Sequence, residues 1–374
     1  MSYKDKIAQK LQARMAENAL RRLTVREGLI DFFSNDYLGF ARSKALHTAI
    51  QQKEETYQLS VCNGSTGSRL LSGNSALAEQ VEKQLAVFFQ VEKTLLFNAG
   101  YNANVGVLSA IPQKGDTILY DELIHASLKD GARLSFADRL SFKHNDLEDL
   151  QRKIKKAKGD LFIVVESIYS MDGDKAPLKE IAALAKQYGA CFIVDEAHST
   201  GTFGLQGRGL VYEENLQHEV DIRIHTFGKA MGIHGACVAG SAMLIDYLVN
   251  FSRAFIYTTA FAPHAFISVQ CAFEMLEQTA DVIPALNKNI NHLASALRTH
   301  SCYIPSSSPI QVLNIGGNDV VKNLAATIQE KGFDVRPILS PTVKKGEERL
   351  RICVHAFNTQ QEIAALVSCI NSQL

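Results

Sequence analysis

Several common features are absent from this 374-residue chain, and each absence removes a class of function. There is no charge excess: Lys plus Arg and Asp plus Glu both number 39. Such a balance gives no electrostatic reason to expect nucleic acid or an anionic membrane as partner. No apolar run is long enough to span a bilayer. The start, MSYKDKIAQKLQARMAENALRR, has neither the apolar stretch nor the small-residue cleavage site of a secretory signal, and its acids argue against a transit peptide. The seven cysteines (62, 191, 237, 271, 302, 353 and 369) contain no CxxC pair. An odd count without metal spacing predicts reduced, mostly buried thiols and a cytoplasmic protein. No repeat or low-complexity segment interrupts the chain.

What is present is a regular alternation. The first segment reads as an amphipathic helix, with Ile7, Leu11 and Met15 recurring every fourth residue. FFSNDYLGF (32–40) then breaks into turn chemistry. From about residue 74, helical patterns alternate with short apolar runs typical of strands buried on both faces: KTLLF, DTILYD, LFIVVES, CFIVDEA and DIRIHTF. In PLKEIAALAKQYG, Pro177 opens a helix and Gly189 closes it. This order predicts an α/β fold with a mostly parallel sheet flanked by helices. After about residue 285 the texture becomes that of a smaller α+β domain. The expected division is an N-terminal helix and arm (1–45), a large domain (46–284) and a small C-terminal domain (285–374), consistent with a length beyond one ordinary core.

Ligands of open α/β sheets collect at the carboxyl ends of strands. Five consecutive predicted strand ends carry chemically capable groups: NAGYNAN after KTLLF, His125 after DTILYD, Ser170 after LFIVVE, Asp195 and His198 at the end of CFIVD, and Thr226 and Lys229 after DIRIH. The turn through Gly100 and Tyr101 opens a helix whose free N–H groups suit an anion, with Thr226 adding a hydroxyl; an ordinary turn capped by Asn102 is the alternative. A buried Asp195 needs a cationic or protonated partner, either a structural ion pair or a protonated heteroaromatic nitrogen. His125 and His198 read equally as packing histidines or ligand contacts. Lys229 stands among glycines and small residues, where lost solvation frees its amine as a nucleophile for a carbonyl compound. Phosphate cradle, carboxylate, lysine and histidines together describe a pyridoxal 5'-phosphate site.

Two rival readings fall short. DEAH (195–198) spells a helicase ATPase motif, but no phosphate loop precedes it, and Ala230 follows Gly228-Lys229. His198 and His225 lack companion ligands at zinc spacing, so no metal is expected. A non-catalytic relative that keeps the fold is a third possibility, against which the intact set Asp195, His198 and Lys229 argues.

SNDYLG, NAGYNAN, the His125 segment, SIYSMDGD, DEAHSTG and TFGKAMG occur in the order found in the α-oxoamine synthases, which this chain resembles nearly end to end. Those are pyridoxal phosphate enzymes of fold type I that condense an amino acid with an acyl thioester and release carbon dioxide. The resemblance implies an acyltransferase that acts as a homodimer on alanine, glycine or serine, with an acyl group on coenzyme A or an acyl-carrier protein. It implies that Lys229 is the Schiff-base lysine and proton carrier, Asp195 the partner of the ring nitrogen, His125 the stacking residue and His198 the contact of the phenolic oxygen. Gly100, Tyr101, Thr226 and Ser170 fall at cofactor positions, and Thr258 and Thr259 at a phosphate contact from a neighbouring subunit. Arg351 falls at the position that binds the amino-acid carboxylate, Arg21 at the acyl-substrate position, and Asn35, His125 and Thr342 at substrate contacts. Thr66 replaces the glycine more usual in the family's GSGGSR-like run, and VRPILSPTV carries three extra residues.

Overall fold

A computed structural model describes residues 1–25, 27–58 and 63–374. Its chain divides into two compact units. One comprises Leu38–Tyr169 and Lys175–Ile283; the other comprises Met1–Tyr37, Ser170–Asp174 and Pro284–Leu374.

The first unit is built on a seven-stranded sheet. Its spatial order is Lys93–Phe97, Ala236–Gly240, Ile222–Thr226, Cys191–Asp195, Leu161–Glu166, Thr117–Asp121 and Asp138–Phe142. Only Ala236–Gly240 runs against its neighbours; the remaining pairs are parallel. The central strands are apolar throughout because both faces are covered. Ile163, Val164, Val165, Phe192, Ile193 and Val194 are all buried, each stabilising the fold by roughly 1.5–3 kcal/mol. Helices between strands form where the apolar spacing changes from two to about 3.6. Leu178–Tyr188 buries Leu178, Ile181, Ala182 and Ala185 on one side. Gly189 ends it in the left-handed conformation at φ 63°, which glycine adopts without a Cβ penalty.

Two strands of this sheet escape the sequence reading. Asp138–Phe142 is an edge strand with mostly exposed residues, so it lacks the apolar run of its neighbours. Ala236–Gly240 is fully buried but made of small residues, ACVAG, which carry little strand propensity.

The second unit has a four-stranded antiparallel sheet in the order Arg336–Ile338, Arg349–Cys353, Ile310–Asn314 and Tyr303–Ile304. Helices Asn318–Glu330 and Gln360–Asn371 accompany it. A parallel two-residue pairing joins Ile30–Asp31 to Phe333–Asp334. The N-terminal helix Tyr3–Ala16 starts from a capping box in which Ser2 and Asp5 exchange bonds. It buries none of its residues: Ile7, Leu11 and Met15 are 54%, 49% and 57% exposed. Its apolar stripe forms as predicted but is left uncovered by the described residues.

The six described cysteines outside 59–62 are free thiols, and Cys237, Cys271 and Cys353 are buried; Cys62 lies outside the described residues. No helix among the described residues is long and apolar enough to cross a membrane.

Candidate active site

Parallel pairing brings the predicted strand ends to one rim. In the register, Glu166 lies level with Asp195, and Asp195 with Ile224, two residues before Thr226. Between these ends lies a cavity of about 150 Å³ whose lining includes Gly100, Tyr101, His125, Asp195, Thr226 and Lys229.

Lys229 stands on the turn between Ile222–Thr226 and its antiparallel partner Ala236–Gly240. The turn is pinned by Phe227 N to Gly235 O (2.8 Å), Ile233 N to Phe227 O (3.0 Å) and Gly232 N to Lys229 O (2.9 Å). The two glycines that frame the lysine differ. Gly232 has φ +65°, and a Cβ there would come within 2.2 Å of Ala41 N, so it serves the backbone. A Cβ on Gly228 would meet nothing nearer than Ile233 O at 3.8 Å, so that side of the lysine has room.

The helix Gly100–Ala110 begins without any side-chain cap; its N-cap is Ala99, not Asn102. Its first N–H groups are therefore available, with the positive end of the helix dipole behind them. A Cβ on Gly100 would stand 2.9 Å from Thr226 Oγ1, so glycine is what lets this helix start approach that hydroxyl. Helix start and threonine together form a cradle of neutral donors suited to an anion.

Asp195 is buried, 4% exposed, at the end of its strand. Oδ1 accepts from Ala197 N at 2.8 Å and Oδ2 from Asn104 Nδ2 at 2.8 Å. Both bonds come from neutral groups, so each oxygen keeps a lone pair for a protonated donor. His125 caps the helix Ala126–Leu134: its Nδ1 accepts from Ser127 N at 3.2 Å and lies 2.7 Å from Ser127 Oγ. Desolvation is the main cause that lowers the His125 pKa; Lys229 adds to it and Asp195 opposes it.

Three residues of this site escape the sequence reading: Asn104, Ser127 and Glu166. Each was within reach. Asn104 is one helical turn beyond Gly100, Ser127 is two residues beyond His125, and Glu166 ends an apolar strand as Asp195 does. Glu166 accepts a hydrogen bond from the backbone N of His125. Burial, then the nearby Asp195, pushes its carboxyl up to about 8, against the pull of Lys229.

His198 is buried on the turn after Asp195, where its carbonyl accepts from Thr202 Oγ1 at 3.0 Å; it is not among the cavity's lining residues. Thr258 and Thr259 sit beside Asn98, whose Nδ2 donates to Thr258 Oγ1 (3.3 Å) and Thr259 O (2.7 Å), and they do not line the cavity.

The other unit gathers the remaining candidates into two groups. Arg351 is buried on strand Arg349–Cys353. It donates from Nε to the Ser170 carbonyl (2.8 Å) and from Nη2 to Asn35 Oδ1 (3.0 Å), which also accepts from Tyr37 (3.0 Å). Ser170 thus meets Arg351 through its backbone. Arg21 Nη2 donates to Thr342 Oγ1 at 3.1 Å, joining two exposed residues 321 positions apart.

The donor set fits pyridoxal phosphate on this chain's own geometry: an anion cradle that a Cβ would fill, a buried carboxylate with neutral partners, and a lysine with open space beside it. The family described as aminotransferase class I and II matches residues 27–370. An 8-amino-7-oxononanoate synthase of Emericella nidulans is 39% identical over 401 residues, covering 99% of this chain and 96% of that protein. A serine palmitoyltransferase of S. paucimobilis, solved with PLP and myriocin, superposes with a TM-score of 0.89 at 25% identity, over 99% of this chain and 96% of that one. The 8-amino-7-oxononanoate synthase of Francisella tularensis gives 0.79 at 29% identity, over 93% and 98%. With fold, site and relatives in agreement, the chain belongs to the aminotransferase class I and II family and, within its fold-type I enzymes, to the α-oxoamine synthases.

Proposed function

We propose that this chain catalyses the reaction of an 8-amino-7-oxononanoate synthase. It condenses L-alanine with a pimeloyl thioester and releases carbon dioxide, a step of biotin biosynthesis. The observation that carries this reading is the convergence of Lys229, Asp195 and the uncapped helix start on one cavity. The extent of identity to a synthase of that name supports the substrate pair. The acyl carrier is coenzyme A or an acyl-carrier protein, and the working form is a cytoplasmic homodimer.

Pyridoxal phosphate, when bound, supplies an electron sink that acidifies the Cα–H bond of an amino acid. The chain's own residues do the rest. Gly100 and Tyr101 N–H groups and the Thr226 hydroxyl hold the phosphate. Asp195 would hold the ring nitrogen in its protonated form. His125, which lines the cavity, would stack on the ring, and His198, on the turn after Asp195, would bond its phenolic oxygen. Ser170 completes the cofactor contacts, and Thr258 and Thr259 reach the phosphate of a neighbouring subunit. The Lys229 amine would be the residue that holds the cofactor covalently and, when free, the base placed to take the Cα proton of the amino acid. Arg351, oriented by Asn35, clamps the amino-acid carboxylate through paired charge-assisted bonds. Arg21 and Thr342 receive the acyl donor.

The test has two parts. Protein loaded with pyridoxal phosphate should absorb in the visible, and borohydride should fix the cofactor's mass on the peptide carrying Lys229. In a separate sample, unreduced holoenzyme given alanine and a pimeloyl thioester should release free thiol. Wild-type protein that takes up no cofactor would sink the reading. A second reading, condensation of serine with a palmitoyl thioester, is favoured by the 0.89 TM-score to serine palmitoyltransferase. Thiol release with that pair alone would establish it instead.

A further inference from the structure

Asn104 is the least economical residue of the site. It is buried, 3% exposed, and its Oδ1 has no donor among the described residues. A buried, unpaired amide oxygen costs stability, so stability alone does not explain an asparagine here. Its Nδ2 is fully used: one hydrogen goes to Asp195 Oδ2 at 2.8 Å, the other to Ser127 Oγ at 2.9 Å. The reverse orientation of the amide would set its oxygen head-on against the Asp195 carboxylate, so that carboxylate fixes which way the amide faces.

The direction of the next bond follows. Ser127 Oγ accepts from Asn104, which turns its own hydrogen toward its other neighbour, His125 Nδ1, at 2.7 Å. That nitrogen also accepts the backbone N–H of Ser127 at 3.2 Å. Two donors converge on Nδ1, and a proton on that atom would lose both. The His125 main chain is held as well, by the carboxyl of Glu166.

We infer that Asn104 and Ser127 are positioning residues that hold His125 as a neutral imidazole with its single proton on Nε2, and that tie this state to the Asp195 carboxylate. His125 then offers a ligand in the cavity one fixed N–H donor. It is no base in that state, and proton removal is left to Lys229. The relay runs from carboxylate to amide to hydroxyl to imidazole, and each link sets the direction of the next. It rests on the proposed function only for the identity of that ligand.

The charges around His125 are Asp195 and Lys229 at the strand ends, and Lys129 and Asp130 on its own helix. Glu166 lies at the end of the neighbouring strand, and Tyr101, bonded to Asp130, on the helix across the cavity. None of them is altered by changing Ser127. The experiment is ¹⁵N-histidine NMR on the holoenzyme and on protein stripped of cofactor, with His125→Gln to assign the signal. Wild type should show a protonated Nε2 and a bare Nδ1 at neutral pH. Ser127→Ala removes a donor that favours the neutral ring, so the His125 pKa should rise by roughly half to one unit. Ser127→Thr keeps the hydroxyl and should titrate as wild type. Asn104→Ala frees the hydroxyl to turn and should raise the His125 pKa as Ser127→Ala does. It should also shift the pH midpoint of the cofactor's visible band, because Asp195 loses a donor; Ser127→Ala should leave that midpoint in place. A wild-type proton on Nδ1, or no rise in Ser127→Ala, overturns the inference. Failure to take up cofactor would count against the proposed function alone, because the tautomer is also read without it.

Discussion

The cavity around Lys229 and the Arg21–Thr342 pair are both made of residues distant in sequence, but they are held in different ways. Asp195, Glu166 and Thr226 are ends of neighbouring strands, set by a hydrogen-bond register that cannot slip without turning every side chain over. Asn104, Ser127 and Glu166 are buried and cross-bonded. Arg21 and Thr342 are exposed and meet through one hydrogen bond. One region is fixed by the sheet; the other is a surface contact that a changed segment can re-form. Such a division would let the proposed reacting groups stay constant while the residues proposed to receive the acyl donor vary.

If that contrast holds, damage should be greatest for the cavity residues and least for the exposed pair. Lys229→Ala removes the proposed point of covalent attachment and the proposed proton carrier. Turnover should fall by roughly four orders of magnitude or more, and borohydride should leave no cofactor on the chain. Asp195→Asn keeps the shape and the bond that Oδ1 accepts from Ala197, but loses the charge and the bond that Oδ2 accepts from Asn104. It should lower kcat by on the order of a hundredfold or more, with a changed visible spectrum. Retention of wild-type kcat in either variant would remove the cavity from the mechanism.

Arg351 is intermediate, being buried but in the other unit. Charge-assisted bonds contribute about 1.5–3 kcal/mol. Arg351→Lys should therefore raise the KM for the amino acid roughly ten- to a hundredfold while sparing cofactor uptake. An equal loss of cofactor affinity would show that its part is structural.

The sheet and most of its rim were legible because each central strand is an apolar run ending in a polar, reactive residue. Legibility failed where chemistry was shared out by geometry. Glu166 reads as the last letter of a strand, and only the register places it beside Asp195. Asn104 reads as one more letter of a helix until the fold sets it between Asp195 and Ser127. Ser170–Asp174 lies between two strands of the large sheet in sequence, yet it groups with the C-terminal segment. Nothing in the residues SMDGD announces that.

Glu166 sharpens the contrast through stability. Its carboxyl sits at about 8 in the folded protein, against 4.5 ordinarily, chiefly from burial and Asp195. The raised value means that the folded state keeps a proton the unfolded state releases. Its contribution is complete below about pH 4.5 and is lost as the pH rises through 8. Across that window the loss should be on the order of several kcal/mol. Glu166→Gln cannot ionise and should flatten the pH dependence of Tm, leaving the variant more stable than wild type above pH 8. An unchanged slope would show that Glu166 is charged in the folded protein.

The smallest effect belongs to the exposed pair. Arg21→Ala breaks a surface hydrogen bond whose loss should cost the fold less than about 1 kcal/mol. Tm and the alanine-dependent spectrum should therefore hardly move. What should move is the KM for the acyl donor, by roughly three- to tenfold, with kcat nearly kept. Thr342→Ala should do the same, and the double variant should be no worse than the poorer single one, because the two side chains act through a single contact. A drop in kcat matching that of Asp195→Asn would mean that this surface contact shapes the reacting centre, and the division between fixed cavity and variable surface pair would not stand.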